Sequence, residues 1–147
     1  MSDTKEIESL VLEKFSYLQD EFGLNKPILN RDAWNTTVSY LSKEIGIEVE
    51  LDWRDLDMFI LITKLEGGKL PKGYYMFRGK TCRVHLEEML QNNFNVGKNE
   101  IQEVVQSGKK KKQSRNQQTL AQRISAYQQL LRNYAGAICS AGGSLFQ

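Results

Sequence analysis

From Ile45 to Trp53 the chain alternates without a fault. Ile45, Ile47, Val49, Leu51 and Trp53 are apolar; Gly46, Glu48, Glu50 and Asp52 between them are not. A period of two puts the first set on one face of a β-strand and the second on the other. A helix of 3.6 residues per turn would scatter these apolar residues round its axis. The stretch is therefore read as a strand with one buried face and one acidic outer face. After a turn at Trp53–Asp57, "MFILITKL" (Met58 to Leu65) is apolar on both faces, which suits a central strand. Upstream, Thr36 to Ser42 carries the same period, with Val38 and Tyr40 on one face. Three strands with connections this short make an antiparallel meander. Glu66 to Gly73 has the composition of a loop, and Tyr74 to Phe77 adds a short fourth strand.

Helical spacing frames this sheet. Ile7, Leu10, Val11, Phe15, Leu18 and Phe22 predict an N-terminal helix, capped by Ser2 or Asp3 and ended by Gly23. Pro27 keeps the next segment from continuing it. Thr81 caps a helix to about Asn92, with Val84, Leu86, Met89 and Leu90 apolar. Lys98 to Ser107 is a short helix with Ile101, Val104 and Val105 inward. The longest helix runs from about Ser114 to Ile138, where Leu120, Ile124, Tyr127, Leu131, Tyr134 and Ile138 make an apolar seam. The seam covers fewer than three heptads, so it is read as packing on the sheet. The expected fold is α+β over residues 1–147 as one domain. It has an N-terminal helix, a three- to four-stranded antiparallel meander, and C-terminal helices packed on one sheet face. Residues 108–115 are expected as a flexible basic linker and 140–147 as a loose tail around Gly142-Gly143. A chain of 147 residues buries roughly 70% of its unfolded surface and needs no staples.

Residues that carry chemistry are sparse. Cys82 and Cys139 belong to no CxxC pair, and His85 is the single histidine, so no metal site is expected. The cysteines are read as reduced thiols. On a helix, Cys82 would lie one turn from His85, which allows a thiolate–imidazole pair; a half-buried small hydrophobe is the alternative. There is no nucleophile elbow, GxGxxG or P-loop pattern. No cofactor and no enzymatic activity are expected. "MSDTKEIESL" lacks the basic and apolar regions of a secretory signal, and no run of about 18 apolar residues exists. The expectation is a cytoplasmic protein without a membrane partner.

The net charge of +2 hides a split. Residues 1–97 hold 12 Lys/Arg against 16 Asp/Glu, and residues 98–147 hold 8 against 2. Each half offers a candidate surface. In the first, Glu48, Glu50 and Asp52 recur about 7 Å apart along one strand face. With Asp55 and Asp57 beyond, they form an acidic ridge. Such a ridge is either a solvated sheet face or a docking surface for a basic protein partner. In the second, Lys109, Lys110, Lys111 and Lys112 are followed by Arg115, Arg123 and Arg132. On a helix the four lysines would fan out by about 100° each, which phosphate binding tolerates. Specific recognition would want stacking aromatics, and the nearest, Tyr127, belongs to the apolar seam. The run is read as a solvated linker, with nonspecific nucleic-acid binding as the alternative function.

One stretch carries a resemblance. "KFSYLQDEFGL" (Lys14 to Leu24) resembles the opening helix, of FSFL-x-x-x-[FY]-G-F type, of a group of small, mostly uncharacterised bacterial α+β proteins. Phe15, Ser16, Leu18, Phe22 and Gly23 carry the match. "EIGIEVELDWRDLDMFILITKL" is similar to the second and third strands of that group. The resemblance spans about half the chain, and the lysine run and acid-poor last helix depart from it. Some proteins of this kind look like immunity partners of bacterial toxins. The resemblance therefore implies a non-enzymatic protein-interaction module, with an immunity-like role, and supplies no catalytic residues.

Overall fold

The structure is a computed structural model that describes residues 2–106 and 116–146. Helix α1 (Ser2–Lys14) and a short α2 (Tyr17–Asp20) lead into four strands. These are β1 (Ile28–Arg31), β2 (Asn35–Leu41), β3 (Ile45–Asp52) and β4 (Asp57–Lys64). A two-stranded ribbon, β5 (Met76–Phe77) and β6 (Lys80–Thr81), precedes β7 (Arg83–His85). Helices α3 (Leu86–Asn93), α4 (Lys98–Gln106) and α5 (Gln117–Ala141) follow, and a 3-10 helix covers Gly142–Phe146. The main sheet has the order β1-β2-β3-β4-β7 and every pairing is antiparallel. This is the expected α+β architecture of an N-terminal helix, an antiparallel meander and C-terminal helices.

The meander is longer than expected, and the reasons are physical. β4, apolar on both faces as an interior strand is, is paired along both edges, by β3 on one side and β7 on the other. β7 takes the start of the helix expected from Thr81, because Arg83, Val84 and His85 pair with Thr63, Ile62 and Leu61. The Tyr74–Phe77 segment does not join the sheet; Met76 and Phe77 pair with Thr81 and Lys80 instead. β1 follows Pro27 and forms the other edge, where a strand start lacking one N–H is tolerated.

One sheet face is packed. Val38 and Tyr40, Ile47, Val49 and Leu51, and Met58, Ile60 and Ile62 are all buried there against the helices. The seam of α5 is buried as the spacing predicts, through Leu120, Ile124, Tyr127, Leu131 and Ile138. Asn116 caps that helix: its side chain accepts from Thr119 N, and Thr119 Oγ1 accepts from Asn116 N, both at 2.9 Å. The N-terminal helix breaks once. The Ser16 hydroxyl donates to Glu13 O at 2.9 Å, and the shift in direction buries both Tyr17 and Leu18. Gly23, at φ 73°, ends the segment as expected. Residues 140–146 are not a loose tail: Leu145 is buried and Gly143 N donates to Glu44 Oε1 at 2.6 Å. The basic linker expected at 108–115 lies outside the described residues.

Two polar details of this core have measurable consequences. The Tyr40 hydroxyl is fully buried with no hydrogen-bond partner, and burial pushes its pKa up to about 12. A buried unpaired hydroxyl costs roughly 1–3 kcal/mol. Tyr40→Phe is therefore expected to raise the free energy of unfolding by about 1 kcal/mol, read from urea midpoints. No gain, or a loss, would mean that the hydroxyl has a partner. The second detail is Glu8 on α1, which accepts from Arg31 Nη2 at 2.8 Å and Thr36 Oγ1 at 2.9 Å. Trp53 Nε1 donates to the same Thr36 hydroxyl at 2.9 Å. The Arg31 hydrogen bonds outweigh burial and hold the Glu8 pKa below its ordinary 4.5. Its stabilisation is complete above that ordinary value and is lost as pH falls through the lowered one. Between about pH 5 and 3, the fall in stability should flatten in Glu8→Gln. An unchanged slope would remove Glu8 from the acid transition.

Candidate functional site

The second sheet face carries the acids. Its side chains follow from the register in two cross-strand rows. One row is Asn30–Thr37–Glu50–Phe59, and the next is Ile28–Ser39–Glu48–Leu61–His85. The segment 65–82 crosses this face and is tied down by the acids. Glu48 is only 2% exposed. It accepts from Ser39 Oγ at 2.9 Å, from Arg83 Nε at 2.7 Å and from the Thr63 hydroxyl. Arg83 then donates through Nη1 to the carbonyls of Gly73 at 2.7 Å and Tyr74 at 2.9 Å. Tyr74 donates its hydroxyl to Glu50 Oε1 at 2.8 Å, and its ring lies 5.2 Å from the Arg83 guanidinium carbon. Burial, with the Glu50 carboxylate beside it, pushes the Tyr74 pKa far up, so it stays a donor at neutral pH.

Between β1–β3 and this segment lies a cleft of about 560 Å³. That is within the ordinary size range of ligand sites, about 300–1,000 Å³. Asn30, Thr37 and Glu50 lie on its floor, and Asp32 and Asn35 at one end. Ile28, Leu61, Leu70 and Tyr74 give it apolar walls. Three carboxylates, Asp32, Glu48 and Glu50, face one guanidinium, Arg83. The rim is apolar and wet. In the cleft lining Ile28 is 50% exposed and Tyr74 44%; Trp34, in the adjoining turn between Asp32 and Asn35, is 60% exposed. Trp34 belongs to the β1–β2 turn, in which Asp32 Oδ1 accepts from the N–H groups of Trp34 and Asn35, and its ring lies 5.8 Å from the Arg54 guanidinium carbon.

The acids expected to form one ridge divide into different roles. Glu48 is buried, which corrects its reading as part of a solvated face. Ser39, Thr63 and Arg83 satisfy its charge, as a buried carboxylate demands. Glu50 reaches the cleft. Asp52 builds the β3–β4 turn, accepting from the N–H groups of Arg54 at 3.0 Å and Asp55 at 3.2 Å. Asp55 is exposed in that turn. Asp57 faces α5, with Oδ1 2.8 Å from Arg123 Nε, and both side chains are largely buried. Arg123 is thus engaged in the fold, and Arg132 pairs with Glu21 over the ring of Tyr17. Neither is a free phosphate grip. Lys109, Lys110, Lys111, Lys112 and Arg115 lie outside the described residues.

Cys82 and His85 do not form a pair. His85 ends β7 and Cys82 stands in extended chain just before it, not on a helix, so the one-turn spacing that would bring them together is absent. Cys82 is buried, its thiol donates to Tyr74 O at 3.2 Å, and burial raises its pKa. His85 Nε2 is 2.9 Å from the Tyr75 hydroxyl. Both cysteines are free thiols. Among the described residues no group of three or more His, Cys, Asp or Glu is placed to hold a metal ion. Nor is any described helix long and apolar enough to cross a membrane.

Sequence reasoning passed over Arg83, Tyr74, Trp34, Thr37 and Asn30. Thr37 and Ser39 alternate with Val38 and Tyr40, so their place on the acidic face was readable from β2 alone. Arg83 carried no local signal, because its role depends on a strand pairing 20 residues upstream, at Thr63. Comparison of this chain with protein-family models, with curated proteins and with solved structures finds no match. A functional reading therefore rests on the cleft and its chemistry.

Proposed function

We propose that this chain is a non-enzymatic, cytoplasmic protein-interaction module that docks a basic partner on the open sheet face. The observation that carries the reading is the pairing of an acid-lined cleft with exposed apolar side chains in its lining, Ile28 and Tyr74, and with the exposed Trp34 in the adjoining β1–β2 turn. Aromatic anchors beside desolvatable charge are what protein-binding hot spots are made of. The surplus of carboxylates steers a basic partner and raises its on-rate. The resemblance of Lys14 to Leu24 to proteins of immunity type supports the narrower form, a partner that neutralises a bacterial toxin. In that form the basic partner is the toxin.

The test is a pull-down from the source cell's lysate after nuclease treatment, with the wild-type chain beside Glu50→Gln and Trp34→Ser. A discrete protein should be retained by the wild type, released by moderate salt, and lost from both variants. If it stays on both variants, the cleft is not the contact surface. If retention depends on nucleic acid, the alternative of nonspecific binding through Lys109–Lys112 replaces this reading.

A further inference from the structure

We propose that the cleft takes the guanidinium of an arginine side chain carried by the protein partner. The inference rests on the interaction reading above and names the group that fills the site. Charge comes first. Glu48 is already neutralised by Arg83, whereas neither Glu50 nor Asp32 has an ion-pair partner among the described residues. The cleft thus keeps two uncompensated carboxylates and favours one cation. Geometry chooses between cations. Asn30, Thr37 and Glu50 stand side by side on three adjacent strands. Adjacent strands are about 4.8 Å apart, so these acceptors are spread over roughly 10 Å. A compact ammonium reaches one part of such a row, whereas a planar fork with five N–H donors spans more of it. Ile28 and Leu70 provide apolar surface for the methylene stem of the same side chain.

The fold already contains a pattern for this recognition. Arg83 is held on the same face by a carboxylate, two carbonyl oxygens and the Tyr74 ring. The incoming arginine meets an equivalent set one row away: Glu50 as carboxylate, the Asn30 and Thr37 oxygens as acceptors. Charge-assisted hydrogen bonds of this kind are stronger than neutral ones and, with Arg, geometrically selective.

The experiment titrates three capped peptides of sequence Leu-Gly-X-Gly-Leu, with X as Arg, Lys or citrulline, into the full chain. Backbone amide NMR shifts locate the site and calorimetry gives affinity. The arginine peptide should shift the amides of Asn30, Thr37 and Glu50. Lysine should bind at least about tenfold more weakly and citrulline not at all. Glu50→Gln should weaken the arginine peptide by about tenfold, with thermal unfolding showing the variant folded. Equal affinity for lysine, shifts elsewhere on the surface, or no shifts overturn the assignment. So does free arginine binding as tightly as the peptide, since the ligand would then be a small molecule. Self-association abolished by Glu50→Gln would put a second copy in the cleft and overturn it too. The two readings fail separately. A partner that is lost from Glu50→Gln while the arginine peptide stays silent removes the arginine and keeps the interaction surface. A partner indifferent to Glu50→Gln and Trp34→Ser removes both.

Discussion

Arg83→Met is expected to lower the free energy of unfolding by about 3–5 kcal/mol, the cost of stripping one partner from a buried ion pair. The side chains concerned are 10% exposed for Arg83 and 3% for Glu48. With the guanidinium gone, Glu48 keeps only the two hydroxyls of Ser39 and Thr63. Two neutral donors do not balance a charge removed from water. The loss should appear as a lower urea midpoint with an unchanged slope. Amide exchange should quicken around Tyr74 and Tyr75, because Arg83 also anchors the carbonyls of Gly73 and Tyr74. Adding Glu48→Leu should recover much of the lost stability, since no unpaired charge then remains. A loss below about 1 kcal/mol in the single variant would mean that the pair behaves as a solvated surface bridge.

Phe15→Ala is expected to cost about 3–5 kcal/mol, the range for deleting a large buried aromatic. Phe15 is fully buried where α1 gives way to α2, and its ring lies 6.2 Å from that of Tyr17. It belongs to the same core cluster as the packed sheet face. The neighbouring helices are held by separate contacts and collapse only partly into the space left, so a cavity penalty adds to the lost burial. Phe22→Ala should cost less, because Phe22 is only partly buried. Equal costs at the two positions would show that burial does not rank them. Phe15, Tyr17 and Phe22 are the aromatic residues of the Lys14–Leu24 stretch, so much of what carries that resemblance is core packing.

The elements were legible where a period was uninterrupted. β3 and β4 were read within a residue or two of their bounds, because strict alternation and a doubly apolar run allow few other structures. The seam of α5 was legible for the same reason. The short elements were not. β1 and β7 have four and three residues, too few to show a period. Their strand character comes from an edge offered by β2 and by β4. The segment Arg83–His85 could as well have begun α3, and pairing with Leu61–Thr63 decided otherwise.

The site divides along the same line. The sequence by itself determined that Glu48, Glu50 and Asp52 share one sheet face, since side-chain direction in a strand is a local property of the backbone. It also determined that the opposite face is the core. It could not determine which of those acids would keep a free charge. That depended on Arg83, Arg123 and Tyr74, which meet Glu48, Asp57 and Glu50 from distant parts of the chain. Burial and charge compensation are sums over neighbours in space, and the arginine or tyrosine that meets each acid lies 24 to 66 positions away along the chain. Only the tertiary structure could turn an evenly acidic strand into one buried anchor, one turn former and one carboxylate that lines a cleft.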